Sequence, residues 1–261
     1  MLRGLAFSAA VSVAMGPFAA YSDDHVETAD FITGNALHIL LHEIGHLLID
    51  QIDLPVLGQE EDAADNYATL TLIEWDTGLA DQALADTAYG WFLRHDDTQS
   101  ADESIFFTEH DLDVQRAYRV VCHLIGIDER AFGPLADDFG VYPDETQSCD
   151  YSSDLSAKSW ARVLSPFAPG KVGLGAPVKI EYAAGDGDLG YFEDLLRGRE
   201  VLEIVSEHLL DTVSLPRPVF LRTEMCGEAN AYYDPERVEV TLCYELLDEI
   251  AALYESSKIE H

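Results

Sequence analysis

The chain has 261 residues, 48% of them apolar, which is enough to build one large hydrophobic core and too apolar for a chain disordered throughout. Forty-nine acidic side chains against 15 basic ones leave a formal charge of −34, which repels phosphate backbones and anionic lipid surfaces and argues against nucleic-acid binding. The same excess favours solubility and names no substrate.

Residues 1–22 open with one basic side chain, Arg3, run through small and apolar residues, and reach an Ala20-Tyr21-Ser22 step ahead of two aspartates. That order is the grammar of a signal peptide, with cutting expected after Ser22. Gly16 and Pro17 interrupt the run and leave it short of the ~20 residues that a membrane span needs. The next most apolar stretch, residues 36–49, carries His38, His42, Glu43 and His46. The expectation is a periplasmic or secreted protein with no stable membrane insertion after signal cleavage, whose residues 23–261 form a single domain.

Between residues 28 and 51 the apolar positions Phe31, Leu37, Leu41, Ile44 and Leu48 recur at helical spacing, and Leu54-Pro55 ends the segment. This predicts a buried helix. A second helix is expected over 58–76, with Glu60, Glu61 and Asp62 in its first turn, where negative charge suits the dipole, and Ala63, Tyr67 and Leu70 facing inward. Two more helices follow at about 79–94 and 112–125, and the Gly-, Pro-, Asp- and Ser-rich stretch 132–154 reads as a loop held by Cys149. After Pro166 the pattern changes. Residues 177–182 alternate like a strand, 185–190 read as a turn, and 192–210 return to helical spacing. Short strands are expected at 219–223, 231–233 and 238–242, the last two joined by an Asp234-Pro235 turn, and a helix over 246–254 closes the chain.

Cys122, Cys149, Cys226 and Cys243 make an even set, and in an oxidising compartment paired thiols are the default. Of the possible connectivities, Cys122 with Cys149 and Cys226 with Cys243 are favoured, because each pair lies within one segment and closes a modest loop. No CxxC spacing indicates a zinc knuckle or a redox site.

The chemistry sits in His42-Glu43-Ile44-Gly45-His46, an HExxH motif inside the first helix. Histidines four residues apart stand about 40° apart around the axis and one turn apart along it, so both imidazoles reach one ion. Zn2+ takes three protein ligands and keeps an open position for catalysis, and Glu43 is placed beside that position to act as general base toward water. Polar groups at these positions of a buried helix are costly unless a metal or partners satisfy them. His38, one turn back, lies too far along the axis to join as a ligand, and reads as core or outer support.

The third ligand must come from elsewhere, and the start of the next helix offers Glu61, with Glu60 as its rival. Asp65, four residues on, shares a face with Glu61 and is placed to accept a hydrogen bond from the outer nitrogen of one histidine, fixing its tautomer. Each acid is also at home in a plain acidic first turn. Oxyanion stabilisation beyond the metal calls for His, Tyr or Arg. His110 is the first candidate catalytic residue for it, ahead of Tyr232 and Arg116, although Arg116 is equally suited to pair with the acidic second helix. Gly170 to Gly175 lacks the Lys-Ser/Thr ending of a phosphate loop, and Asp186-Gly-Asp188 lacks the rest of a calcium loop.

HExxH followed by Glu-x-x-x-Asp on the next helix resembles the gluzincin metallopeptidases, and residues 40–70, LLHEIGHLLIDQIDLPVLGQEEDAADNYATL, resemble the metallopeptidase family DUF4344. The likeness extends to Thr108 through Arg116, to Cys149 and Trp160, and to Cys226 through Pro235 with Cys243-Tyr244-Glu245, so it covers most of the mature chain. It implies a zinc-dependent hydrolase acting on peptide or protein substrates, and an α+β fold: a mostly helical zincin-like domain with a small mixed or antiparallel sheet from the C-terminal region. Zincin sheets generally precede the motif helix, and an edge strand holds the substrate. Here the strands follow, so they must fold back beside that helix if the architecture is kept. The alternative is a catalytically silent exported module that binds zinc or a protein partner.

Overall fold

The computed structural model describes residues 23–98, 110–141, 148–171 and 175–259, so the signal-peptide reading of residues 1–22 lies outside the described residues. Helix α1 (Asp23–Gln51) is apolar nearly all round, with Phe31, Ile32, Leu37, Leu40, Leu41, Ile44, Leu47 and Leu48 closed to solvent. A helix of that kind must lie inside the molecule. Accordingly it is flanked by α2 (Glu60–Trp75), α3 (Gly78–Thr98), α7 (Val201–Thr212) and α8 (Tyr244–Ile259), and by two strands of the sheet.

Gly45, inside the HExxH motif, sets how close α2 comes: a Cβ there would lie 2.8 Å from the Ala64 Cα. This contact brings the first turn of α2 onto the histidine face of α1.

Helix α4 (Asp113–Asp138) kinks at Asp128, whose backbone leaves helical geometry (φ −149°, ψ 86°). The Asp128 carboxylate then caps the next turn, accepting the Arg130 and Ala131 amides at 3.0 Å each. Helix α5 (Cys149–Leu164) follows and is pinned to α4 by the Cys122–Cys149 disulfide. Both features correct the expected loop over 132–154: residues up to Asp138 are helical, and from Cys149 the chain is helical again. The composition misled because this helix pair meets through small groups, Gly126 against the Cys149 carbonyl and Ser153, and not through a run of large apolar side chains.

The expected helix over 192–210 is two helices, α6 (Gly190–Gly198) and α7, because Glu200 turns left-handed (φ 55°) between them. The sheet has the order β1-β2-β4-β3, with β1 (Val178–Tyr182), β2 (Val219–Glu224) and β4 (Glu239–Cys243) parallel and β3 (Ala231–Asp234) antiparallel to β4. Helices α6 and α7 make the β1–β2 crossover that parallel strands require. Asp234 builds the β3–β4 turn by accepting the Glu236 and Arg237 amides at 2.9 and 3.1 Å.

The Cys226–Cys243 disulfide and Glu245, which accepts the Cys226 and Gly227 amides, anchor the loop that leads into β3. Strands β3 and β4 rest against α1. The C-terminal strands therefore do return to the motif helix, and the fold is α+β, with eight helices and a four-stranded mixed sheet among the described residues. No described helix is long and apolar enough to cross a membrane.

Candidate metal centre

His42 and His46 project from the face of α1 that meets α2, with their Nε2 atoms 3.1 Å apart. Glu61, in the first turn of α2, sets its Oε2 3.1 Å from His42 Nε2 and 3.4 Å from His46 Nε2. The outer nitrogens are held by carboxylates: His42 Nδ1 lies 2.8 Å from Asp65 Oδ1, and His46 Nδ1 lies 2.8 Å from Glu60 Oε1. A carboxylate only accepts, so each Nδ1 carries the hydrogen and, in neutral rings, both Nε2 atoms present lone pairs to each other and to Glu61.

That arrangement repels unless a proton or a cation sits between the donors. Glu61 Oε2 is buried and no N–H is aligned with it for a regular hydrogen bond, although three imidazoles crowd it. The donor atoms of His42, His46 and Glu61 all lie within 4.8 Å of one another. Tetrahedral zinc with ligands at about 2.0–2.1 Å places them about 3.3 Å apart, so the three observed separations fit such an ion. The residues present therefore suit the metal that the motif implies.

The electrostatics agree with a cation-seeking nest. Burial alone would lower both histidines, yet Asp65 and Glu61 beside His42, and Glu61 and Glu60 beside His46, outweigh it and raise both, His46 to about 9. For Glu61 the balance reverses: burial would raise it, but His110, His42 and His46 hold its carboxyl far below the usual range. Burial pushes Glu43 up, against the lowering influence of His42 and His46. Burial also pushes His38 down to about 3; its Nε2 meets Thr69 Oγ1 at 3.2 Å, and it is a neutral supporting residue outside the ligand group, as its position along the axis implied.

The two acids that the sequence left as rivals take separate places. Glu61 faces the shared point and Glu60 backs the outer nitrogen of His46. Asp65 is clamped by Arg116 of α4, which donates from Nε at 2.8 Å and from an Nη at 2.7 Å, while its guanidinium carbon stands 3.7 Å above the Trp91 ring. Burial would raise Asp65, and Arg116 and His42 instead hold it well below the usual range. Arg116 is thus engaged along one edge by Asp65 and on one face by Trp91 and only 8% exposed, which removes it from the candidate oxyanion groups.

His110 does reach the site: its Nε2 is 2.7 Å from Glu61 Oε2, and its ring lies nearly parallel to that of His42. Tyr232, on β3, lines the same cleft. Sequence reasoning missed Trp91, Arg119 and Asp111. Arg119 pairs with Asp62 at 2.9 Å and with Asp111, one helical turn from the Arg116–Asp65 pair. The signal was available in two stripes at i, i+3 spacing, acidic on α2 (Asp62, Asp65) and basic on α4 (Arg116, Arg119).

These residues open into a cleft of about 1280 Å³ whose floor is α1 and whose far wall is β3. The family model DUF4344, described as "Putative metallopeptidase", matches residues 8–164 and 185–261. The chain belongs to the DUF4344 family. No curated protein and no solved structure matches it. Within this DUF4344 chain, the matched segments contain every residue of the cluster, and both disulfides tie matched residues to one another.

Proposed function

We propose that this DUF4344 protein is an exported zinc-dependent peptidase. The observation that carries the reading is the convergence of His42 Nε2, His46 Nε2 and Glu61 Oε2, 3.1–3.4 Å apart, in a cleft that also holds Glu43. His42, His46 and Glu61 would hold the metal, which when bound supplies Lewis acidity and a lowered pKa for water. Glu43 is 8% exposed and lines the cleft beside the two histidines, where it would take a proton from the attacking water and pass it to the leaving amine. Asp65 and Glu60 fix both histidine tautomers so that Nε2, not Nδ1, faces the reaction.

His110 is the first choice to donate a hydrogen bond to the developing oxyanion, because its ring already borders Glu61; Tyr232 on the opposite wall is the second. β3 is the terminal strand of the sheet, and its outer edge suits backbone pairing with an extended substrate. Two disulfides suit an oxidising compartment, in line with the signal-like residues 1–22 and a periplasmic or secreted location.

The test is Glu43→Gln. Protein purified without chelator should carry one zinc per chain in both forms, and the variant should lose at least a thousandfold in peptide hydrolysis. Equal metal content with no hydrolysis by either form would favour the silent zinc-binding or protein-interaction module, and absence of stoichiometric metal would end both readings.

A further inference from the structure

We infer that the cleft takes an internal stretch of an extended polypeptide, so that the protein is an endopeptidase; this rests on the peptidase reading above. The floor extends on both sides of the metal donors. Ile39 lies before His42, and Ile49 and Asp50 lie beyond His46, all on α1 and all lining the cleft. At about 1.5 Å per residue, Ile39 to Asp50 covers about 16 Å, the length of about five extended residues at ~3.4 Å each. Leu54 continues the lining past one end, and Trp91, which borders Ile39, does so at the other. The volume of about 1280 Å³ exceeds the ~300–1,000 Å³ of an ordinary small-molecule site.

An exopeptidase needs an ionic group to capture a chain terminus beside the metal. Three charged groups that line the cleft are engaged within the protein, and a fourth, Arg94, lies over the Trp91 ring. Arg116 is closed to a substrate carboxylate by Asp65 and Trp91. Glu60 is turned to His46, and Asp50 accepts from Tyr233 at 2.7 Å and from Gln51 at 2.6 Å. Holding the substrate falls to the β3 edge, which binds main chain and does not require an end.

The experiment compares eight-residue peptide libraries in two forms, free and doubly blocked (N-acetyl, C-amide), incubated with the zinc-loaded protein and read by mass spectrometry. Blocked peptides should be cut at internal bonds, with kcat/KM within about threefold of the free ones. Shortening to three residues should lower kcat/KM at least tenfold. In parallel, calorimetry on zinc-loaded Glu43→Gln should show affinity for blocked peptides rising at least tenfold from three to six residues. Removal of single residues from free peptides only, including C-terminal trimming lost in Arg94→Ala, would overturn this inference and leave the peptidase reading intact. Failure of the zinc-loaded protein to cut either form would overturn both.

Discussion

Replacing Arg116 tests how firmly the metal histidines must be held from behind. Arg116→Met keeps an apolar stem against Trp91 and deletes both charge-assisted hydrogen bonds to Asp65, made at 2.8 and 2.7 Å. Asp65 is 4% exposed, and among the described residues the other arginine beside it is Arg119, with an Nη at 3.6 Å. Removing one partner of a buried pair costs about 3–5 kcal/mol; the residual help from Arg119 puts the expected loss at the lower end, about 3 kcal/mol. A loosened Asp65 no longer fixes His42, and losing such an outer partner weakens metal binding about 10–100-fold, or about 1.4–2.7 kcal/mol. The two effects separate experimentally. Thermal melts of chelator-treated protein read the first, and competition for Zn2+ with a chromophoric chelator, on protein still folded, reads the second. Arg116→Lys restores the charge without the planar fork, so it should recover stability more than affinity. If Arg116→Met stays folded and binds zinc within threefold of the parent, the clamp does not act on the metal and the reasoning fails.

Gly45→Ala places a Cβ 2.8 Å from the Ala64 backbone, so α2 must retreat and carry Glu61 with it. The expected outcome is a loss of about 1–3 kcal/mol in a denaturant melt, together with sub-stoichiometric zinc. Asp65→Asn should weaken zinc binding more than Glu60→Gln, because the Glu60 side chain is 49% exposed and water can take its place at His46; chelator competition ranks the pair. Away from the site, burial and the charge of Asp30 push Asp86 up to about 6 from 3.8, against the lowering bond from Gln82. A carboxyl raised on folding contributes stability that is present below pH 3.8 and lost as pH rises through about 6. Asp86→Asn should therefore stabilise the protein by up to about 3 kcal/mol at pH 8 and by almost nothing at pH 3.5, which denaturant melts at the two pH values will show.

What the sequence could and could not disclose follows from how each element is specified. α1 was legible because its apolar residues repeat with the helical period, and the spacing of His42 and His46 belongs to the helix itself. The four strands were legible in place, each within two residues of its ends, although only β2 alternates in burial and β4 is buried throughout. Choosing between Glu60 and Glu61 was of another kind. Neighbouring residues on a helix point about 100° apart, so the choice depends on how α2 is rotated about its own axis. The Gly45–Ala64 contact fixes that rotation, and the Arg116–Asp65 and Arg119–Asp62 pairs lock it from the α4 side. None of these contacts is local in the chain. α5 escaped notice for a related reason, since a disulfide and a glycine groove hold it where periodicity would normally show. The candidate metal centre is thus written twice: once locally, as two histidines on one turn, and once at long range, as the packing that turns a single carboxylate of α2 toward them. Of the two, the long-range part is what brings Glu61 to the histidines: Arg116, buried, and Arg119, half-buried, hold the Asp65 and Asp62 carboxylates of α2 from the α4 side, a support that a chance HExxH on a lone helix lacks.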